Sequence, residues 1–287
     1  MTFENVAVGV FTGVDYYHRA KAIKETWGSY FENIFYHGYT PDSSLPITQV
    51  PITGPHTEDY QSVLYKQILG LKQMFDDCSS VEWYFSCGCD TYAHPRNLVE
   101  TLLRFPSEQP FLIGGHCGEI RRSSRLKEVK RPSLLNFLIY FPARLRFPSG
   151  GAGFALSRPL LEQIRPHLDD LLKWWELTWK AGAPSSFSAD VCIAYGVLRF
   201  AGVRVTETKG FYAHHWIRYV SSSQLAKPGI IPSDLLNRFG SQVGDHSTTF
   251  PLVDKPISFH YLEPDDMAAV HKRAKEQQFP FEKSAPL

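Results

Sequence analysis

WYFSCGCDTYAHPRNL, Trp83–Leu98, begins as an apolar run, meets a single acid at Asp90 and passes through Pro95 into a helical pattern. The run over 82–86 predicts a strand buried on both faces, because its apolar residues do not alternate with polar ones. Pro95 suits the first turn of a helix over 95–105, where the amide it lacks has no intrahelical partner. Residues 90–94 therefore form the loop from the carboxyl end of a strand to a helix. Open α/β sheets place their ligands at that edge.

The same alternation continues outward in both directions. Upstream, NVAVGVFT (5–12) predicts a first buried strand with Gly13 as its tight exit. DYYHRAKAIKETWG (15–28) follows as a helix, with Ala20, Ile23 and Trp27 spaced by three and four and Gly28 as its stop. NIFYHG (33–38) reads as a second strand, and TEDYQSVLYKQILGLKQMF (57–75) as a long amphipathic helix capped by Thr57. Downstream, PFLIGG (110–115) is a short strand, and GGAGFALSRPLLEQI (150–164) a glycine-rich turn, a strand and a helix. SADVCIAYGVLRFAGVRVTET (188–208) reads as a helix ending near Gly202 and a further strand. Strands alternating with helices predict a doubly wound α/β sheet with helices on both faces.

With 287 residues and 43% hydrophobic content the chain has material for one large core, so 1–287 is read as one domain. Thirty basic residues against 29 acids leave no global attraction to nucleic acid or anionic membranes, so anion recognition has to be local. Five cysteines are too few for a disulfide scaffold. Cys87 and Cys89 lack a second ligand pair for structural zinc, and buried thiols are expected instead. The N-terminus has neither a basic region nor an apolar run of signal-peptide or spanning length, which predicts a soluble protein with no membrane span.

Arg121–Arg131, RRSSRLKEVKR, holds six basic residues and one acid and reads as a solvated loop or an anion-binding patch. Residues 221–250 read as a surface excursion and 277–287 as a frayed tail.

Asp90 at a strand end, Asp190 at a helix start and His214 in GFYAHHW are the candidates for chemistry. Each has a plain structural alternative. Asp90 could cap the helix at Pro95, Asp190 could be a first-turn acid favoured by the helix dipole, and His214 could be a satisfied interior histidine.

Together with their contexts these residues resemble a family. VGVFTGVDYYHRAKAIKETWG, WYFSCGCDTYAHPRNL, PSGGAGFALSRPLLEQI, SADVCIAYGVLRFAGV and GFYAHHW are similar, in order, to the blocks of Fringe-like and core-1 β1,3-galactosyltransferase-like glycosyltransferases. ISFHYLEPDDM resembles the C-terminal block of the core-1 type, so the likeness spans residues 5–267. It implies a GT-A fold, a UDP-sugar donor, a divalent metal such as Mn2+, and a glycan or glycosylated protein as acceptor. Family members carry an acidic triplet whose last Asp binds the metal. Here the triplet reads Gly88, Cys89, Asp90, so only the metal-binding position survives. The family's base lies in an acid pair that corresponds to Ala189 and Asp190. Its metal-binding histidine aligns with His214, with His215 as an adjacent fallback.

One Asp and one His can suffice, because a donor diphosphate brings its own charged oxygens and water fills the rest. The mixed oxygen and nitrogen set suits manganese; a sulfur from Cys89 would shift it toward zinc. The resemblance also suggests uracil and ribose contacts at Thr12 and Gly13. Arg19 could fork a phosphate or be a solvated helix residue. Gly88, Gly150, Gly151 and Gly153 could admit the donor or make tight turns. Trp174, Trp175 and Trp179 read as core before sugar platforms, and His260 as structural with a site role conceivable. The expected reaction is an inverting displacement with Asp190 as general base, moving galactose or N-acetylglucosamine into a β1,3 linkage. The rivals are a chaperone or glycan-binding relative with a decayed triplet, and a zinc hydrolase using Cys87 and Cys89. Compartment is left open between a microbial enzyme and a lumenal domain lacking its anchor.

Overall fold

The computed structural model describes residues 2–52, 56–115, 117–121, 141–180, 188–219, 252–253 and 255–276. Most of the basic stretch 121–131, the excursion 221–250 and the tail 277–287 lie outside them.

Seven strands form the main sheet: β1 (Val6–Phe11), β2 (Ile34–Gly38), β3 (Ile47–Gln49), β4 (Trp83–Gly88), β6 (Leu112–Gly114), β9 (Phe154–Ser157) and β10 (Val205–Glu207), in the order β10-β6-β9-β4-β1-β2-β3. All neighbours are parallel except β9, which runs antiparallel between β4 and β6. A small second sheet has the order β11-β12-β5, from β5 (Tyr92–Ala93), β11 (Phe211–Tyr212) and β12 (Ser258–Phe259). A hairpin pairs β7 (Gly118–Arg121) with β8 (Arg144–Phe147).

The main sheet is covered on both faces, as the unbroken apolar runs require. Successive β1 residues divide between two cores, Val6, Val8 and Val10 to one and Ala7 to the other. On the first face pack α1 (Tyr17–Glu25), α3 (Pro95–Leu102) and α7 (Pro264–Lys275). On the second pack α2 (Ser62–Asp77), α4 (Arg158–Ile164), α5 (Leu168–Lys180) and α6 (Ala189–Ala201).

Several expected boundaries move for identifiable reasons. Thr57 does not cap α2. The Asp59 carboxylate takes the amides of Gln61 and Ser62, so the helix starts after it. At α3 it is His94, not Asp90, that accepts the Asn97 amide, with Pro95 at the first helical position. Helix α6 ends at Gly202, whose φ of 68° is the left-handed stop glycine favours. Trp174 stacks on Tyr195 with centroids 4.8 Å apart, and Trp175 is buried, as core residues. Among the described residues no helix is long and apolar enough to cross a membrane.

The topology gathers one edge. Phe11 on β1 pairs with Gly88 on β4, and the Cys89 amide reaches the Phe11 carbonyl at 3.2 Å, so Thr12–Gly13 and Cys89–Asp90 leave the sheet side by side. Because β9 is antiparallel, its first residue, Phe154, lies opposite Ser86, and the turn 150–153 enters at that same edge.

Candidate active site

A cavity of about 550 Å³ opens at this edge. Thr12, Gly13 and Arg19 line it from the β1 side, Cys89 and Asp90 from β4, and Gly151 and Asp190 from the far side. Gly88 does not line it. A Cβ there would come 2.7 Å from Asp90 Oδ1, so the glycine leaves room for that carboxylate.

Asp190 sits in the first turn of α6 and is held by three donors. Its Oδ2 accepts the Gly150 amide at 3.0 Å, and its Oδ1 accepts the Val191 amide at 2.8 Å and the Ser188 hydroxyl. The role of first-turn acid and the place on the cavity wall thus coincide in one side chain.

Asp90 is bracketed by the segment after β12. His260 Nε2 lies 3.1 Å from Asp90 Oδ1, and the Leu262 amide donates to the Asp90 carbonyl at 2.9 Å. The histidine set against Asp90 is therefore His260 rather than His214, and strand order supplies the reason. Strand β12 lies between β11 and β5, so the residue following β12 falls beside the β4–β5 loop. The residues following β11 are one strand farther away. His214 stacks on Tyr261 with centroids 5.9 Å apart and does not line the cavity. His215 is buried, 3.8 Å from Asp266. Tyr261 stacks on His260 at 3.9 Å and has φ of 61°, a left-handed conformation rare for a tyrosine and typical of constrained functional segments.

The Ala213 carbonyl lies 3.2 Å from His260 Nδ1 and accepts its proton. That leaves Nε2 directed at a carboxylate, an arrangement completed by a cation or a proton between them. Among the described residues no group of three or more His, Cys, Asp or Glu side chains could hold a metal ion. Asp90 and His260 offer two donors, an oxygen and a nitrogen, which fit a divalent cation whose other ligands come from substrate and water. Cys89 is a poor third. Burial, then the adjacent Asp90 carboxylate, push its thiol up to about 12. Cys87 is buried and raised in the same sense.

Arg19 lines the cavity while pairing with a carboxylate. Its Nη2 and Nε reach the two Glu263 oxygens at 2.5 and 3.1 Å. Burial alone would lower its pKa; the Glu263 bonds, with the charge of Asp90, raise it instead. Gly151 is required by packing, since a Cβ there would collide with the His260 ring.

The sequence profile of the Fringe-like family matches residues 1–281. The chain belongs to the Fringe-like family. General glycosyltransferase activity and a mixed α/β fold with a central sheet flanked by helices go with that membership. Two solved structures are similar at low identity. A glycosyltransferase involved in glycosylation of the major capsid of PBCV-1 has 11% identity and a TM-score of 0.44, over 96% of this chain and 99% of that one. Mannose-1-phosphate geranyltransferase from Thermus thermophilus has 16% identity and a TM-score of 0.37, over 71% and 74%. At these scores neither likeness bears on chemistry.

In this Fringe-like chain the cavity also has a floor that residue patterns did not indicate. Lys66 is 2% exposed, and its ammonium lies 2.9 Å from Glu58 Oε2. Glu58 also takes the amides of Val14 and Thr40, tying the exits of β1 and β2 to the start of α2. Burial would raise the Glu58 pKa, but the Lys66 and Thr40 hydrogen bonds hold it below the usual carboxylate range. The one available signal was a lysine inside the apolar stripe of SVLYKQILGL.

Proposed function

We propose that the protein is a metal-dependent inverting glycosyltransferase that moves galactose or N-acetylglucosamine from a UDP-sugar to an acceptor hydroxyl, forming a β1,3 linkage. One observation carries the reading: Asp90 and Asp190, carboxylates a hundred residues apart in sequence, line a single cavity at the carboxyl edge of the sheet. Asp190 would take the proton of the attacking hydroxyl, its carboxylate held by the Gly150 and Val191 amides so that it need not reorient. Asp90 and His260 would hold the divalent cation, with Ala213 fixing the tautomer of the imidazole. When bound, such a cation stabilises charge on a leaving diphosphate. Thr12 and Gly13 border the nucleoside end, and the acceptor is a glycan or a glycosylated protein.

A second reading, a chaperone or glycan-binding relative without turnover, is favoured by Gly88 and Cys89 at the first two positions of the triplet. Release of UDP from UDP-galactose, UDP-N-acetylglucosamine and UDP-glucose, with manganese and then with chelator, separates the two. Chelator-sensitive release that is lost in Asp190→Asn and Asp90→Ala is the expected result. No release from any donor, slow hydrolysis included, sinks the enzymatic reading.

A further inference from the structure

One side-chain amide in the cavity wall is only half satisfied. Gln67 on α2 lines the cavity and is 2% exposed. Its Nε2 reaches Ser86 Oγ at 3.4 Å, while Oε1 is buried without a hydrogen-bond partner. Turning the amide over exchanges which end meets Ser86 and leaves the other end unpaired. A buried unpaired polar end is penalised, and a methionine would remove it while giving up only the long Ser86 contact. A ligand group that completes the amide would remove that penalty.

The position of Gln67 indicates which part of a ligand it meets. Its neighbour Lys66 turns toward the β1 exit, where Glu58 also receives the Val14 amide. Gln67 instead meets Ser86 on β4, opposite Phe154 on β9. The turn that feeds β9 is the one whose Gly150 amide holds Asp190. Lys66 therefore lies under the Thr12–Gly13 side of the cavity, and Gln67 under the side of Asp190, where a base must meet the transferred group.

We propose that Gln67 reads the transferred sugar through one hydrogen bond to a hydroxyl of its pyranose ring, and so sets donor-sugar preference. A hydroxyl both donates and accepts, so it satisfies whichever end of the amide is unpaired. The inference rests on the donor reading above. Calorimetric titration of UDP, UDP-galactose, UDP-glucose, UDP-N-acetylglucosamine and UDP-N-acetylgalactosamine with manganese, into wild type and Gln67→Met, tests it. The variant is expected to bind UDP within about twofold of wild type and the preferred UDP-sugar about tenfold more weakly. Without ligand it is expected to melt close to wild type, because removal of the unpaired buried oxygen offsets loss of the 3.4 Å Ser86 bond. Gln67→Leu, of different shape, is expected to behave alike. Unchanged affinity for every UDP-sugar, equal losses for UDP and UDP-sugars, or a melting temperature well below wild type overturns the role of Gln67 alone. A wild type that binds no UDP overturns the donor reading and this inference with it.

Discussion

The cavity is built from two regions that obey different rules. Its floor comes from the main sheet, where the exits of β1 and β4 and the start of β9 share an edge through six-residue and four-residue pairings. Its rim comes from the small sheet, whose strands are two residues each and join segments from 92, 211 and 258. Main-sheet positions follow from local pattern, since a buried strand ends where its apolar run ends. Small-sheet positions follow from which distant segment pairs with which, and no local pattern encodes that.

The largest expected effect is at Asp190, which the turn into β9 holds against the floor. Asp190→Asn keeps one acceptor oxygen, enough for either the Gly150 or the Val191 amide but not both, and cannot take a proton, so turnover should fall by about 10²–10⁴ with a much smaller change in UDP-sugar affinity. A loss of affinity without loss of turnover would mean that Asp190 is only a helix-start acid.

The rim is tested by setting its two histidines against each other. His260→Ala removes the nitrogen facing Asp90 and should weaken manganese binding by at least about tenfold. His214→Ala removes a ring stacked behind Tyr261 and should change manganese binding by less than about threefold. The reverse order, read by titrating manganese into each variant, would break the comparison.

These expectations mark how far the sequence could be read. Strands 5–12, 33–38 and 82–86 and the helix from 189 were legible because periodicity, Pro95 and Gly202 are local signals. Asp90 and Asp190 were legible as a strand end and a helix start. His260 was not, because a two-residue strand has no periodicity, and the family-like spacing favoured His214. Glu58 and Lys66 were hidden differently. Glu58 precedes α2 and Lys66 lies within it, and a lysine inside an apolar stripe does not by itself show which acid it meets.

Lys66→Met tests that pair. It leaves the Glu58 carboxylate with its two amides but without its buried counter-charge, and should cost about 2 kcal/mol in urea unfolding. Glu58→Gln should be more severe, because it leaves the Lys66 ammonium, the more buried of the two, without its counter-charge, and its single amide oxygen can accept from only one of Val14 and Thr40. Equal or opposite effects would mean that the pair does not fasten the floor.

The smallest effect concerns the packing beneath the floor. His37 on β2 is 2% exposed, stacks on Phe35, and leaves so little room that a Cβ on Gly70 would come 2.5 Å from its Nδ1. Burial pushes its pKa down to about 3, below the 6.5 of an unfolded chain. Between those values the unfolded chain takes up a proton that the folded state refuses, so stability is full above about pH 6.5 and falls as pH drops toward 3. For this one group the loss between pH 7.0 and 5.5 is about 1 kcal/mol. His94 and His271, both lowered chiefly by burial, act in the same direction. His37→Phe should therefore reduce, without abolishing, the fall in urea midpoint between those two pH values. An unchanged fall would mean that His37 keeps its proton in the fold, and that the main sheet yields to acid through the other histidines.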